Sequence, residues 1–320
     1  MNTYFPPSDI NCFKAFVEPV KPAVTPRVKK QKATELFNKF GIEPTFALDV
    51  LKMYPAFKKK SWRWIFENTE GILEDMNRNL LSDFPWMNKS YIDSSLLEIP
   101  SPILRMPKLL KDYDKLQKDL LCFNIVPSSE FCLEAEGGCH INVNLQDIKD
   151  KNLVEKTMQY LQLYLLNNPC IVWAFTSYMD TDSSSHSYDN IYCLCKGDFF
   201  TLRQGDGDDV PQNCPEDISH VELRFFCMPY TTRQLAHNIN FAQKLLRFCY
   251  EQAEKGYGDD IYVATLREMD IHLCKTTLTE QMKKLKKVCK DIGYPYSKLV
   301  KHENVLNLAM RIASGKNNLI

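Results

Sequence analysis

Apolar and polar residues alternate with a period of two in several short runs and recur with a helical period in others. Residues 91–99 read as one strand, with Glu98 set between Leu97 and Ile99 so that its carboxylate faces away from both. Pro100 and Pro102 take the chain off that strand. Further on, Phe131, Leu133 and Ala135 alternate with Glu130, Cys132, Glu134 and Glu136. Gly137-Gly138 then supplies a hairpin turn, after which Ile141, Val143 and Leu145 alternate with His140, Asn142 and Asn144. In residues 220–226, His220, Glu222 and Arg224 alternate with Val221, Leu223 and Phe225. Residues 61–66, rich in Trp and Ile, read as another strand.

The helical period predicts a second set of elements. Residues 34–40, stopped by Gly41, and residues 46–53, capped by Thr45 and ended by Pro55, read as two short helices. A helix over 73–81 follows, then an amphipathic one over 107–121 with Leu109, Leu110, Tyr113, Leu116 and Leu120 on one face. Residues 152–167 and 232–254 are helical by the same pattern, and Thr277-x-x-Glu280 is a capping box opening the Met282, Leu285, Val288, Cys289 stripe. A last helix falls near 304–313, and residues 179–190 and 204–217 read as loops. The organisation expected is an extended, proline-bearing arm over 1–30, a short helical segment over 31–60, a catalytic domain over 61–256 and a helical region over 257–320. Strands followed by helices, with antiparallel signals, make the class α+β.

Composition narrows the partners. The chain has 320 residues, with Lys+Arg 40 and Asp+Glu 40, so whole-chain charge gives no case for nucleic acid or an anionic membrane. The sequence has no apolar run near the ~20 residues of a spanning helix, and its first residues lack an apolar core of the signal-peptide kind. A cytoplasmic location is the expectation, with the 12 cysteines reduced. Cys193-x-Cys195 has no second pair at zinc-site spacing.

Glu98, His140, Glu222 and Arg224 stand out because strands of soluble proteins rarely carry such groups among apolar neighbours unless they pair or bind something. Each has an ordinary explanation: a solvated sheet face for Glu98, a hydrogen-bonded structural histidine for His140, a cross-strand ion pair for Glu222 with Arg224. Together, two glutamates and a histidine from three strands make a metal site, to which Glu134 and Glu136 would add carboxylates. A carboxylate-rich set with one histidine suits Mg2+ or Mn2+ better than zinc. Arg224 and Arg203 suit a carboxylate or phosphate by their planar fork. The sequence contains no G-x-x-x-x-G-K-[ST] loop, no G-x-G-x-x-G and no G-x-S-x-G elbow.

In their order, these segments resemble the amidoligase family of the glutamine-synthetase-like carboxylate–amine ligases. Glu98-Ile99-Pro100-Ser101-Pro102-Ile103-Leu104 is similar to its Glu-[Ile/Leu]-x-Ser-Pro-[Ile/Pro]-Leu pattern. Gly138-Cys139-His140-Ile141-Asn142 is similar to its Gly-x-His-[Val/Ile]-His strand, with Asn142 where the second His stands. Phe200-Thr201-Leu202-Arg203 matches an Arg-bearing segment, and His220-Val221-Glu222-Leu223-Arg224 a Thr-[Ile/Val]-Glu-Phe-Arg strand entering a long helix. The family opens on a Gly-[Val/Ile]-Glu-x-Glu strand. Phe40-Gly41-Ile42-Glu43 matches it by letter, but Pro44 and the expected helices fit poorly; Ile65-Phe66-Glu67 fits strand character better, so Glu67 is preferred.

The resemblance covers roughly residues 61–254. It implies a curved, mainly antiparallel sheet with helices on its outer face. It implies ATP and Mg2+ (or Mn2+) as cofactors, with Glu98, His140, Glu222 and Glu67 as metal ligands. Arg203, Arg224 and Asn142 would contact ATP, the two arginines steadying the transferred phosphoryl group or the substrate carboxylate. The implied reaction joins a small-molecule or peptide carboxylate to an amine through an acyl phosphate. The rival expectation is a catalytically inactive module of the same fold, with the N-terminal arm or the C-terminal helices contacting a protein partner. A metal-dependent hydrolase is a third.

Overall fold

A computed structural model of the chain describes residues 31–47, 86, 90–93, 96–121, 126–127, 138–168, 170–175, 200–203, 218–226, 228–229, 231–256 and 278–299. Contacts divide the chain into Met1–Lys30 and Gln31–Ile320, and all described residues belong to the second unit. The strands are β1 (Lys39–Ala47), β2 (Tyr91–Asp93), β3 (Leu96–Glu98), β4 (Leu104–Arg105), β5 (Val126–Pro127), β6 (Cys139–Asn144), β7 (Phe200–Arg203) and β8 (His220–Leu223). They form one open sheet in the order β2-β3-β1-β6-β8-β7, with β4 and β5 also paired to β1, and every pairing is antiparallel. The helices are α1 (Met106–Leu121), α2 (Lys151–Asn167), α3 (Cys170–Phe175), α4 (Thr232–Glu254), α5 (Leu278–Asp291) and α6 (Tyr296–Leu299). The class is α+β. No helix among the described residues is long and apolar enough to cross a membrane.

The helices begin where local chemistry dictates. Asp150 caps α2 by accepting from the Asn152 and Leu153 amides, and Thr231 caps α4 by accepting from Gln234. Leu109, Tyr113, Leu116 and Leu120 of α1 are fully buried, as the helical period requires. They share one core with Leu235, Ile239, Ala242 and Leu246 of α4 and with the apolar sheet face: Phe40, Ile42, Phe46, Leu97, Ile141, Val143, Val221 and Leu223. The alternate positions of β1, β6 and β8 carry Glu43, Thr45, His140, Asn142, Asn144, His220 and Glu222. One face of the sheet thus builds the core and the other is polar.

Two sequence expectations are overturned. The first is the helix over 34–40 with its stop at Gly41 and the helix start at Phe46, the residues from 48 to 60 lying outside the described ones. In its place, Ala33–Glu35 make one 3-10 turn, the chain bends at Phe37 with φ 56, and β1 begins at Lys39. The carbonyls a helix would use internally are taken by α4: Arg247 donates to the Thr34 and Leu36 oxygens and Gln243 to that of Phe37. The sheet therefore starts before residue 61, and β1 is its most connected strand. Second, residues 91–99 are two short antiparallel strands, β2 and β3, with Tyr91 opposite Glu98. The expected strand over 131–136 lies outside the described residues; β6 itself pairs with β1 on one side and β8 on the other. Glu134 and Glu136 lie outside the described residues, as do 61–66, 73–81, the two expected loops, the N-terminal arm and 304–313.

A proline in a central strand needs an explanation, since it removes a ladder donor. The Pro44 carbonyl accepts from Ile99 N, so its ring nitrogen faces the same neighbour, the stretch that carries Pro100 and Pro102. There Ser101 restores the ladder: its amide donates to the Ile42 carbonyl and its Oγ accepts from the Ile42 amide at 2.8 Å. Prolines on both sides of one seam leave few orphan donors. Gly41 lies on the same seam. A Cβ there would stand 3.0 Å from Ile103 Cδ1 and 3.3 Å from Asn142 Cβ.

Two substitutions test this seam. Ser101→Ala is expected to lower stability by about 1–2 kcal/mol through the lost Ile42 acceptor. Gly41→Ala is expected to cost ~1–3 kcal/mol through overpacking. Urea unfolding measures both, and an unchanged midpoint in either variant contradicts the seam.

Candidate metal centre

Register brings the polar groups together. Glu43 of β1 is opposite His140 of β6, and Asn142, two residues along, stands between Gly41 on one side and Glu222 of β8 on the other. Side chains of directly opposed residues share a face, so Glu43, His140, Asn142 and Glu222 form one patch. Ligating atoms of Glu43, His140 and Glu222 all lie within 4.8 Å of one another.

The contacts are ionic and short. His140 Nδ1 is 3.1 Å from Glu222 Oε1 and 3.3 Å from Glu43 Oε2. Asn142 Nδ2 donates to Glu43 Oε1 at 2.6 Å. Arg224 Nε approaches Glu222 Oε1 at 3.4 Å. The Glu222 side chain is 2% exposed and that of His140 17%, so the two carboxylates face a positive group away from bulk water. Burial works to lower the His140 pKa, but hydrogen bonding and charge from Glu222 and Glu43 outweigh it and push the pKa up to about 9. Without an ion, a protonated His140 thus balances the pair at neutral pH. A divalent ion would replace that proton, because an imidazole ligates only when neutral.

The other expected site residues are placed as follows. Glu98, 8% exposed, sits opposite Thr45 on the same face, two residues along β1 from Glu43, and is not part of the three-residue group. Thr45 directs its hydroxyl to the Gly138 carbonyl at 2.8 Å. Arg203 takes the β7 register position opposite His220. Glu67 lies outside the described residues. The glutamate that β1 supplies is Glu43, from the stretch that matched the first-strand pattern by letter. Its signal was the alternation of Phe40, Ile42 and Phe46 with Gly41, Glu43 and Thr45, obscured by Pro44.

No family model matches the chain, and no curated protein matches it. Solved structures do. The complex between the prokaryotic ubiquitin-like protein Pup and its ligase PafA is similar at 11% identity and TM-score 0.40, over 89% of this chain and 66% of that one. A GmaS/ADP complex is similar at 11% identity and TM-score 0.44, over 88% of this chain and 70% of that one. A bifunctional glutathione synthetase from Pasteurella multocida is similar at 12% identity and TM-score 0.40, over 88% of this chain and 49% of that one. The chain spans just under two thirds of the first of these proteins and about half of the last.

The His140 geometry has a pH signature. A histidine pKa raised from 6.5 to about 9 on folding gives stability that is complete below pH 6.5 and lost as pH rises through 9. Unfolding by urea in chelator, from pH 6 to pH 9.5, should show this loss, and His140→Gln should abolish it. In the same range Mn2+ affinity should rise by up to about ten-fold per pH unit, as the competing proton leaves. Affinity independent of pH would contradict the exchange of proton for metal.

Proposed function

We propose that this chain is an ATP- and Mg2+-dependent carboxylate–amine ligase with a glutamine-synthetase-like catalytic domain. The observation that carries the reading is the convergence of Glu43, His140 and Glu222, from three separate strands, within 4.8 Å on one sheet face. The order of the sequence motifs supports it. Gly41-Ile42-Glu43 opens the pattern on β1, Ser101 stitches the Ser-Pro motif to that strand, and His140 and Glu222 follow on β6 and β8.

The donor set fits the metal. Two carboxylates and one imidazole, with no thiolate, suit Mg2+ or Mn2+; a divalent ion matches the two carboxylate charges and leaves the charge of Arg224 for an anionic group. Glu43, His140 and Glu222 would hold the ion. When bound, such an ion would supply positive charge that offsets the charge developing in phosphoryl transfer. Asn142 fixes the Glu43 carboxylate, and Arg224 braces Glu222 with its remaining donors available to an anionic group. Arg203, one row further along the sheet, is the second arginine assigned to the transferred phosphoryl group or the substrate carboxylate. In the reaction, the substrate carboxylate attacks the γ-phosphate of ATP and releases ADP. The amine then displaces phosphate from the acyl phosphate, forming the amide and losing a proton. The catalytic unit starts near Gln31, because β1 supplies Glu43.

Purified chain incubated with ATP, Mg2+ and a panel of carboxylic acids and amines should release ADP with at least one pairing. Glu43→Gln, His140→Asn and Glu222→Gln should each lower that rate at least ~100-fold. Absence of ADP release together with absence of ATP binding by calorimetry would overturn the reading and leave the inactive module.

A further inference from the structure

The amide of Asn142 is used at one end only. Its Nδ2 donates to Glu43 Oε1 at 2.6 Å, while its Oδ1 is buried with no hydrogen-bond partner among the described residues. The residue is 5% exposed, so water does not reach it freely. Reversing the amide is no remedy, since two acceptor oxygens would then face each other at 2.6 Å. A buried carbonyl left without a donor is destabilising. Glu43, which takes the other end of the amide, is itself an acceptor, as is Glu222 at the opposed register position.

The surroundings hold this oxygen in place. Gly41, directly opposite, leaves room for the Asn142 side chain, with the site of its absent Cβ 3.3 Å from Asn142 Cβ. The hydrogen bond to Glu43 fixes the amide plane, and Glu222 takes the opposed register position on the other side. A buried acceptor left without a donor in a patch with two carboxylates is an arrangement that a cation completes.

We propose that Asn142 Oδ1 is a fourth protein donor to the cation held by Glu43, His140 and Glu222. The proposal rests on the cation reading above and adds a donor and a selectivity to it. A neutral amide oxygen is a hard donor, so the set becomes oxygen-dominated with one imidazole. Position 142 thereby tilts the site towards Mg2+ and Mn2+ and away from Zn2+.

Substitution separates the two ends of the amide. Asn142→Asp keeps an oxygen and deletes the N–H donor, whereas Asn142→Ala deletes both. Calorimetric titration of the full chain with Mn2+ should show affinity retained within about three-fold in Asn142→Asp and weakened ~10–100-fold in Asn142→Ala. Equal losses in the two variants would overturn the proposal and leave Asn142 as a positioning residue for Glu43. Asn142→His provides a second measurement that does not depend on the aspartate variant folding. Pulsed electron paramagnetic resonance with Cu2+ as probe should count one imidazole nitrogen in the unaltered chain and two in Asn142→His. The Mn2+-to-Zn2+ affinity ratio should fall at least ten-fold in that variant. One imidazole in both proteins, with the ratio unchanged, would overturn the proposal. Failure of the unaltered chain to bind Mn2+ or Cu2+ would instead sink the cation reading itself, and this proposal with it.

Discussion

The site depends on the register between β1 and β6. Side chains along a strand alternate faces, so a slip of one residue would send Ile141 and Val143 to the polar face and His140 and Asn142 into the core. The apolar face forbids that slip. Phe40, Ile42, Ile141 and Val143 are fully buried against α1 and α4, and each would be exchanged for a polar group. The same burial that stabilises the domain therefore sets Glu43 opposite His140 and Asn142 opposite Glu222. Core and site are two faces of one constraint.

That constraint brings two acids together, which electrostatics opposes unless something positive lies between them. Here the balance comes from His140, whose Nδ1 contacts both carboxylates, and from Arg224 behind Glu222. A buried carboxylate pair that holds a proton on a histidine is also a pair that can exchange that proton for a metal ion. The balance between the two would depend on pH and on metal concentration. Asn142 fixes the Glu43 carboxylate in the metal-free arrangement.

Much of the fold was legible in the sequence because its periods are clean. The α4 bounds match the expected 232–254, α1 and α2 begin one residue earlier than expected, and His140 and Glu222 fall on strands whose apolar partners alternate strictly. The first strand was not legible, for a physical reason. Gly41, Pro44 and Thr45 are punctuation in a local reading: a helix stop, a breaker and a cap. In the fold they serve long-range needs. Gly41 admits Asn142, Pro44 accepts from Ile99 across a seam whose other side also carries prolines, and Thr45 donates to Gly138. None of these partners lies within 50 residues of β1 in sequence, so no local window could show them. Glu43 was hidden for the same reason. Glu98, which stood out by the same alternation as His140 and Glu222, sits one row away from the three-residue group, because alternation fixes a face and not a row along the sheet.

The departures from the family pattern also make physical sense when taken together. Thr45 stands where the first-strand pattern has a second glutamate, and Asn142 where the β6 pattern has a second histidine. Each replaces an ionisable group by a neutral one on the same sheet face. With Thr45 and not a glutamate opposite Glu98, no like charge stands directly across from it. Asn142 cannot take up a proton as a histidine would, so charge regulation in the patch falls to His140. Glu43, His140 and Glu222 thus stand as the close ionisable group of this face, with Glu98 one row away.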